Sequence, residues 1–398
     1  MPAGGRVNRR GRSDVIVVGG GVVGATCALA LAGRDLEVVL VEGQAPAPWS
    51  AQQPDLRVYA FAPDNAALLA QLGVWQAVRD ARAQAYRRMR VWDAAGGGEL
   101  CFDADRLGRS HLGWIVEHAL LADRLWAALP AAGVQVRCPA RVEAMEQDAS
   151  GVRLRLDDGT RLDARLVVAA DGAASTVRQL AGLPVHGHDY AQRGLVGYLR
   201  SERPHEDTAW QRFLPSGPLA VLPCTAGRSS IVWTLPNAEA ARVLALDDAA
   251  FSRELTTAFG ARLGQLQIDS PRAAFPLKLQ LARQYVEGRV LAIGDAAHVV
   301  HPLAGQGVNL GLRDVAGLRQ LVADAQARRA EWDTPHRLQR WARTRRSENT
   351  VAAYTFDGIN TLFSNDELHT TLARGPLLGL AGKLPPLTNL LWRRAAGP

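Results

Sequence analysis

The sequence lacks the features that mark several protein classes. Its four cysteines are scattered and form no Cys-x-x-Cys pair, which argues against a zinc site or a disulfide framework and favours free thiols in a reducing compartment. No apolar run reaches the roughly 18 residues that a membrane-spanning helix needs. No basic helix, zinc pattern or interleaved aromatic platform suggests nucleic-acid binding. A Gly-x-Ser-x-Gly motif is also absent, so serine-hydrolase chemistry has no support.

The composition that is present belongs to a globular protein. The chain has 398 residues, of which 47% are hydrophobic and 21% are charged, and this length favours two domains. A net charge of +7 favours acidic partners, anionic cofactors or membrane surfaces. The first 13 residues contain several arginines, but no apolar signal-peptide core follows them. They are therefore predicted to form a basic flexible tail.

A glycine pattern lies between the first apolar strand and a helix-like segment. Gly-x-Gly-x-x-Gly permits a tight turn, close approach to a pyrophosphate and close helix–strand packing. The next apolar run ends in an acid that can accept a hydrogen bond from a ribose hydroxyl, and an acid there favours FAD or NAD over NADP. A plain glycine-rich turn is the alternative, and it leaves the acid unexplained. The predicted cofactor contacts are Gly19, Gly21, Val22, Val23, Gly24 and Glu42.

Two other positions have alternative interpretations. Arg57 lies beyond the second strand, where its cation could reach the cofactor, or it is a solvated arginine. A third apolar strand leads into Asp171 and Gly172. Asp171 either faces a cofactor or caps a helix that starts near Ser175. The local sequence leaves both pairs of alternatives open.

The stretch from Gly294 to Leu312 organises the rest of the chain. It joins a buried strand, an acid on a glycine-flanked turn, a close-approach loop and a helix. A helix N-terminus preceded by glycines presents unpaired N–H groups to an anionic or electron-rich group. His298 and His301 have no further histidine or cysteine at ligand spacing, so no metal is predicted. The predicted cofactor contacts here are Asp295, Gly305, Gln306, Gly307, Val308 and Asn309.

The remaining patterns predict sheet-rich insertions in a nucleotide-binding fold. Residues 86–102 predict a hairpin, residues 114–129 a helix, and residues 185–280 several strands with a helix at 247–264. From Val308 onward the pattern is mostly helical.

Three segments together resemble the fingerprints of single-component FAD-dependent aromatic hydroxylases. They are the glycine loop with Glu42, Asp171-Gly172 with Ser175 and Arg178, and Gly294-Asp295 with His301-Pro302 and Gly305-Gln306-Gly307. The third segment resembles the ubiquinone-biosynthesis hydroxylase branch, and further likeness covers nearly the whole chain. One departure is His118, where the family commonly has Asn, so no flavin contact is assigned there.

The resemblance implies an α/β fold. It consists of a Rossmann-like FAD-binding domain of the three-layer glutathione-reductase type, an inserted sheet-rich substrate domain and a helical C-terminal segment. The expected division is a tail at 1–13, FAD-binding segments at 14–80, 112–180 and 285–340, substrate-domain segments at 81–111 and 181–284, and the C-terminal segment at 341–398.

The resemblance also implies a reaction. NADPH or NADH would reduce FAD, and O2 would form a flavin hydroperoxide that hydroxylates a polyprenylated phenol or benzoquinol in ubiquinone biosynthesis. Asp295 would bind the ribityl or pyrophosphate region, and backbone amides at 305–308 would face the flavin. Asp171 and Gly172 would contribute to both FAD and nicotinamide binding.

Several functional questions stay open at this stage. His301 and Tyr190 are candidates for proton transfer, and each could equally be structural. The alternative functions are a hydroxylase of a small soluble aromatic or secondary metabolite, and a redox-silent FAD-binding subunit of a quinone-synthesis complex. A ubiquinone-biosynthesis protein complex is a further expected partner. A membrane surface is another, because residues 372–394 mix leucines with basic residues; helices packed on the domain are the alternative. The expected location is the cytoplasm, including peripheral contact with the inner face of the membrane.

Overall fold

The computed structural model describes residues 11–94, 98–301 and 306–363. Within these ranges the strands, in chain order, are β1 (Ser13–Val18), β2 (Val38–Val41), β3 (Val58–Phe61), β4 (Ala83–Tyr86), β5 (Arg88–Asp93), β6 (Glu99–Asp103), β7 (Gly113–Glu117), β8 (Gln135–Arg137), β9 (Val142–Gln147), β10 (Val152–Leu156), β11 (Arg161–Ala169), β12 (Val185–Ser201), β13 (Thr208–Leu214), β14 (Gly217–Pro223), β15 (Arg228–Pro236), β16 (Leu266–Ile268), β17 (Ala273–Ala282), β18 (Val286–Glu287), β19 (Val290–Ala292) and β20 (His298–Val299).

The helices of the same ranges connect and cover these strands. They are α1 (Val22–Ala32), α2 (Pro63–Gln71), α3 (Trp75–Arg82), α4 (His118–Ala128), α5 (Thr176–Leu180), α6 (Asn237–Leu244), α7 (Asp248–Phe259), α8 (Gln306–Ala327) and α9 (Pro335–Phe363). In the described part of the chain, no helix combines the length and the hydrophobicity that a bilayer crossing requires.

An eight-stranded sheet forms the first layer. Its central order is β18-β19-β11-β1-β2-β8, and the five strands from β19 to β8 run parallel. The parallel strands are apolar throughout because both of their faces are covered, as is usual for such sheets. Helices α1, α4 and α8 pack together beside the sheet. The remaining two strands, β9 and β10, extend from β11 as an antiparallel ribbon.

A nine-stranded sheet holds the predicted insertions. Its order is β20-β17-β12-β15-β14-β13-β5-β6, with β16 paired to β12. The predicted hairpin at 86–102 is confirmed as β5 and β6, which pair antiparallel, and residues 185–280 form the expected mixture of strands. The α/β architecture with a sheet-rich insertion is therefore confirmed.

The expectation of one helix at 114–129 was wrong in its first turn. Trp114 to Glu117 lie in β7, which pairs antiparallel with β3 and β4 in a three-stranded sheet, and α4 begins only at His118. Ile115 and Val116 have the branched side chains that strands favour, and two neighbouring strands are available to pair with them. The spacing of the apolar residues alone did not distinguish a strand from a helix at residues 114–117.

Three other predicted boundaries differ from the structure. The helix expected at 247–264 ends at Phe259, because Gly260 adopts a left-handed conformation that terminates it. The first strand begins at Ser13, within the predicted tail, and the neighbouring Arg12 donates to the carbonyl of Ala164. Helix α9 also runs continuously through the expected division at 340/341.

Asp314 in α8 connects the turn after β19 to α9. One carboxylate oxygen accepts from the backbone N–H of Gly294 at 3.1 Å and from Nε2 of His298 at 2.6 Å. The other accepts from Arg345 and Asn349, each at 2.9 Å. Burial by itself opposes ionisation, but His298, Arg345 and Asn349 outweigh it and lower the pKa of Asp314 to about 2. A fully buried carboxylate thus fixes the start of the stretch from Gly294 to Leu312.

We expect Asp314→Ala to lower the free energy of unfolding by about 3–5 kcal/mol, because the substitution leaves the buried Arg345 charge without its partner. Urea unfolding at neutral pH measures the change. Asp324→Ala is the matched control, since Asp324 is an exposed acid on the same helix and should change stability by less than about 0.5 kcal/mol. Equal stability of the two variants would contradict the role of Asp314.

The lowered pKa of Asp314 also determines the pH range over which this residue stabilises the fold. The ordinary pKa of an aspartate is 3.8, and that of Asp314 in the folded protein is about 2. The stability that the ionised carboxylate contributes is therefore complete well above pH 3.8 and is lost as the pH falls through about 2. The stability difference between the wild type and Asp314→Asn should therefore shrink over this range. A difference that stays constant on acidification would argue against an ionised Asp314.

Candidate cofactor site

Three loops meet at one edge of the eight-stranded sheet. They follow β1, β11 and β19, which are parallel neighbours. The backbone N–H of Ala170 donates to Val18 at 2.7 Å, and that of Ile293 donates to Ala169 at 3.0 Å. The loops that begin at Gly19, Asp171 and Gly294 therefore lie side by side at the carboxyl ends of the strands, where ligands bind in open α/β sheets.

The glycine loop has the shape that a pyrophosphate requires. Gly19 has φ +104°, and a Cβ there would lie 2.3 Å from the carbonyl oxygen of Ala170. A Cβ on Gly24 would lie 1.9 Å from the carbonyl oxygen of Gly19. A Cβ on Gly21 would meet nothing within 4 Å, so this face of the loop is open. Helix α1 begins immediately afterwards without a side-chain cap, which leaves N–H groups of its first turn for a ligand.

Glu42 lies beside this loop, as the sequence predicts for a ribose contact. One of its carboxylate oxygens accepts from the backbone N–H of Gly20 and the other from that of Gln44. Trp126 in α4 also contacts this loop and donates from Nε1 to the carbonyl of Gly20 at 2.7 Å. Sequence reasoning missed Trp126, because nothing near it in the chain indicates that it supports the glycine loop.

Asp171 caps the helix that follows it. Its carboxylate accepts from the hydroxyl of Ser175 and from the backbone N–H of Val177, the latter at 3.2 Å. The capping alternative is therefore observed, while a contact of Asp171 or Gly172 with a cofactor stays a prediction. Arg178 donates to the carbonyls of Ala173 and Ala296 at 2.9 and 3.1 Å, which joins the second loop to the third.

Asp295 and Arg57 belong to one electrostatic group. The side chain of Asp295 is exposed, yet protein surrounds it as in a cleft, and this desolvation raises the pKa of its carboxyl. The charges of His298 and Arg57 oppose the rise. Arg57 is itself exposed. A contact of Arg57 with the cofactor stays a prediction, and the solvated alternative stays open.

His118, which the sequence left without a role, lies in the same group. Its Nδ1 is 2.8 Å from the hydroxyl of Tyr59. Burial, and then the charge of Arg57, lower the pKa of His118 to about 4, so the imidazole is neutral at neutral pH. The charge of Asp295 acts on Tyr59 in turn. The pair therefore forms a neutral, polar part of the cleft wall.

The helix at the end of the third loop is held by Asn309. Its side chain accepts from the backbone N–H of Ala62 at 3.0 Å and from Asn65 at 2.9 Å, and it donates to the carbonyl of Ala60 at 2.8 Å. This side chain is thus engaged within the fold, and a cofactor contact of Asn309 stays a prediction for its backbone. A Cβ on Gly307 would meet nothing within 4 Å, and Val308 is buried. Residues 302–305, including Gly305, and the side chain of Gln306 lie outside the described residues.

Comparison with known proteins agrees with this geometry. The family described as FAD binding domain matches residues 12–347. Ubiquinone hydroxylase UbiL of Rhodospirillum rubrum is 38% identical over 97% of this chain and 90% of its own length. The 3-demethoxyubiquinol 3-hydroxylase of Escherichia coli is 37% identical over 89% of this chain and 90% of its own. The chain belongs to the FAD-dependent hydroxylase family, in its ubiquinone-biosynthesis branch.

A solved structure supports the fold of this family. The p-nitrophenol 4-monooxygenase PnpA of Pseudomonas putida DLL-E4 superposes with a TM-score of 0.76, at 21% identity, and covers 97% of this chain and 98% of that chain. The residues present here also fit FAD as the cofactor. Gly21 leaves room for a pyrophosphate, Glu42 stands beside it for a ribose, and Asp295 lies in the cleft between the loops.

We expect alanine at two of the loop glycines to have different effects. Gly21→Ala should leave the stability of the FAD-free protein unchanged but weaken FAD binding about tenfold or more, because its methyl group enters the space left for the cofactor. Gly24→Ala should instead destabilise the protein by about 2 kcal/mol or more, because its methyl group overlaps backbone atoms. Thermal unfolding of the FAD-free proteins and FAD titration separate the two. Wild-type FAD affinity in Gly21→Ala would contradict the predicted position of the pyrophosphate.

Proposed function

We propose that the protein hydroxylates the aromatic ring of a polyprenylated phenol or quinol in ubiquinone biosynthesis, with NADPH or NADH and O2 as co-substrates. The observation that carries this proposal is the meeting of three fingerprint loops in one cleft, in a chain that aligns over nearly its full length with ubiquinone hydroxylases. Bound FAD supplies the redox and oxygen chemistry.

The chain's own residues would bind and orient the cofactor. The loop from Gly19 to Gly24 would hold the pyrophosphate with backbone N–H groups, and Glu42 would accept from the ribose. Asp295 would contact the ribityl or pyrophosphate region. The first turn of α8 would direct N–H groups of Gly307 and Val308 toward the flavin ring, where a helix N-terminus stabilises negative charge.

The nine-stranded sheet would cover the substrate. We assign the FAD-binding role to segments 14–80, 112–180 and 285–340 and the substrate role to 81–111 and 181–284. An apolar cluster supports contact between the two parts, since Ala60 and Ile115 of the three-stranded sheet pack with apolar residues of the larger one, namely Ala209, Ala220 and Leu222. Such a boundary keeps water from the reacting ring and suits a prenylated molecule.

The function is tested with purified protein and added FAD. A polyprenylated phenol should stimulate NAD(P)H oxidation, and mass spectrometry should find one oxygen atom from labelled O2 in the ring product. Faster turnover of small soluble phenols, with no quinone intermediate accumulating in a deletion strain, would favour the secondary-metabolite alternative. Complementation of the deletion by Asp295→Ala that has lost FAD would favour the redox-silent subunit.

Contact with a membrane is a further part of this proposal. Residues 372–394, from which the sequence predicts that contact, lie outside the described residues, so the proposal uses α9. The solvent-facing side of α9 carries Arg340 and Arg343, followed by Val351 and Tyr354, whose exposed fractions are 54% and 51%. Basic and apolar side chains on one helix face suit an anionic lipid surface, from which a prenylated substrate would be taken, and a ubiquinone-biosynthesis complex could assemble at the same surface.

We expect the wild type to float with phosphatidylglycerol vesicles and not with phosphatidylcholine vesicles. The double variant Arg340→Glu and Arg343→Glu should lose most of this binding, because each basic side chain near an anionic surface contributes about 1 kcal/mol. Arg253→Glu, at an exposed arginine of α7, is the control. Equal flotation of all three proteins would exclude α9 as the contact.

A further inference from the structure

Four polar side chains gather where the nine-stranded sheet meets α9. His188 and Tyr190 come from β12, His301 follows β20, and Asp357 lies near the end of α9. The hydroxyl of Tyr190 donates to Oδ1 of Asp357 at 2.8 Å, and Nε2 of His188 lies 3.7 Å from the same oxygen. The ring of Tyr190 packs edge-on against that of His301, with centroids 5.0 Å apart.

The cluster leads from the surface to the interior. The side chain of His188 is 51% exposed and that of Asp357 is 23% exposed, whereas His301 is only 1% exposed. Val300, directly before His301, packs with Leu310 of α8 and Ala353 of α9. The inner end of the cluster therefore lies beside the first turn of the helix that is proposed to face the flavin.

His301 is equipped to receive a ligand hydroxyl. Both of its ring nitrogens are buried and neither makes a hydrogen bond with the described residues. Burial lowers the pKa of His301 to about 4, although the charge of Asp357 opposes this, so the ring is neutral at neutral pH. A neutral imidazole offers one donor and one acceptor, and buried polar atoms are costly to leave unpaired.

A bulge in β12 directs Tyr190 into this cluster. The pairing of β12 with β17 shifts register between Asp189 and Arg193, and Ala191 has φ +53°. Asp189 accepts from the backbone N–H of Ala191 at 2.8 Å and stabilises the turn. Bulges re-aim side chains and are common next to active sites. The bulge in β12 thus explains why the side chain of Tyr190 points toward Asp357.

We propose that His301 accepts the proton of the substrate's ring hydroxyl and that Asp357 and His188 pass a proton on to solvent, with Tyr190 holding Asp357 in place. The inference rests on the proposed function, which gives the protein a phenol or quinol substrate, and it adds that the ring hydroxyl of this substrate binds beside His301. The substrate O–H bond breaks, its electron pair stays on oxygen, and the proton bonds to the unprotonated ring nitrogen. The other ring nitrogen releases its proton toward Asp357, so no electrons are transferred.

The groups around His301, Asp357 and His188 favour transfer of a proton along this path over its retention on one residue. Asp357 and Tyr190 face His301, and His188 and Tyr190 face Asp357, while Lys278 of β17 lies 3.9 Å from Asp189 at the bulge. Burial destabilises the protonated form of His301, so the ring passes an accepted proton on instead of holding it. The charge of Asp357 acts on His301, and no direct hydrogen bond joins the two among the described contacts, so the proposed path includes a bridging water between them.

The test uses the FAD-loaded protein without NAD(P)H, so that no turnover occurs. Stopped-flow mixing with 2-prenyl-4-nitrophenol follows phenolate formation by its absorbance, and a pH indicator in weak buffer follows proton release. We expect His301→Gln and Asp357→Asn to slow both signals by on the order of a hundredfold. Tyr190→Phe should slow them less, because it removes only the support of Asp357.

Two further variants complete the test. His188→Ala changes an exposed side chain that folding does not need, and added imidazole buffer should restore its proton-release rate. Asp324→Asn is the control, with wild-type rates expected. FAD content and phenol affinity are measured for every variant. Wild-type ionisation rates in His301→Gln and Asp357→Asn would overturn the inference alone, whereas failure of the wild type to bind FAD or the phenol would overturn the proposed function with it.

Discussion

The buried carboxylate of Asp314 is the constraint on which the cofactor cleft depends. A charge with no exposed surface is tolerated only when several donors satisfy it, and here the donors come from the turn at Gly294, from His298 and from α9. The same group therefore holds three separate parts of the chain in one arrangement. Without it, the turn after β19 would lose its hydrogen bond to the helix that follows.

The local parts of the site could be predicted from sequence because their causes are local. The turn at Gly19, the approach at Gly21 and the acid at Glu42 each follow from residue type and position next to an apolar strand. The strand-like sequence patterns of β5 and β6 likewise allowed the hairpin to be predicted. In these cases a side chain or backbone requirement lies within a few residues of its partner in the chain.

The parts that escaped prediction depend on partners far away in sequence. In the sequence Asp314 is an ordinary helical acid, and its ion pair with Arg345 exists only in the folded protein. Trp126 supports the glycine loop only because α4 packs against Gly20. The strand β7 was missed for the same reason. Its apolar pattern is compatible with a helix or a strand, and its pairing with β3 and β4 makes it a strand. Tertiary contacts override local preference at such positions.

The short strand β20 has a mechanical consequence. It begins four residues after Gly294 at the cofactor edge, and it pairs with β17 of the nine-stranded sheet. The run from Gly294 to His301 thus ties two sheets together with very little slack. A ligand that shifts the larger sheet must therefore either strain this connection or move the turn at Asp295 with it.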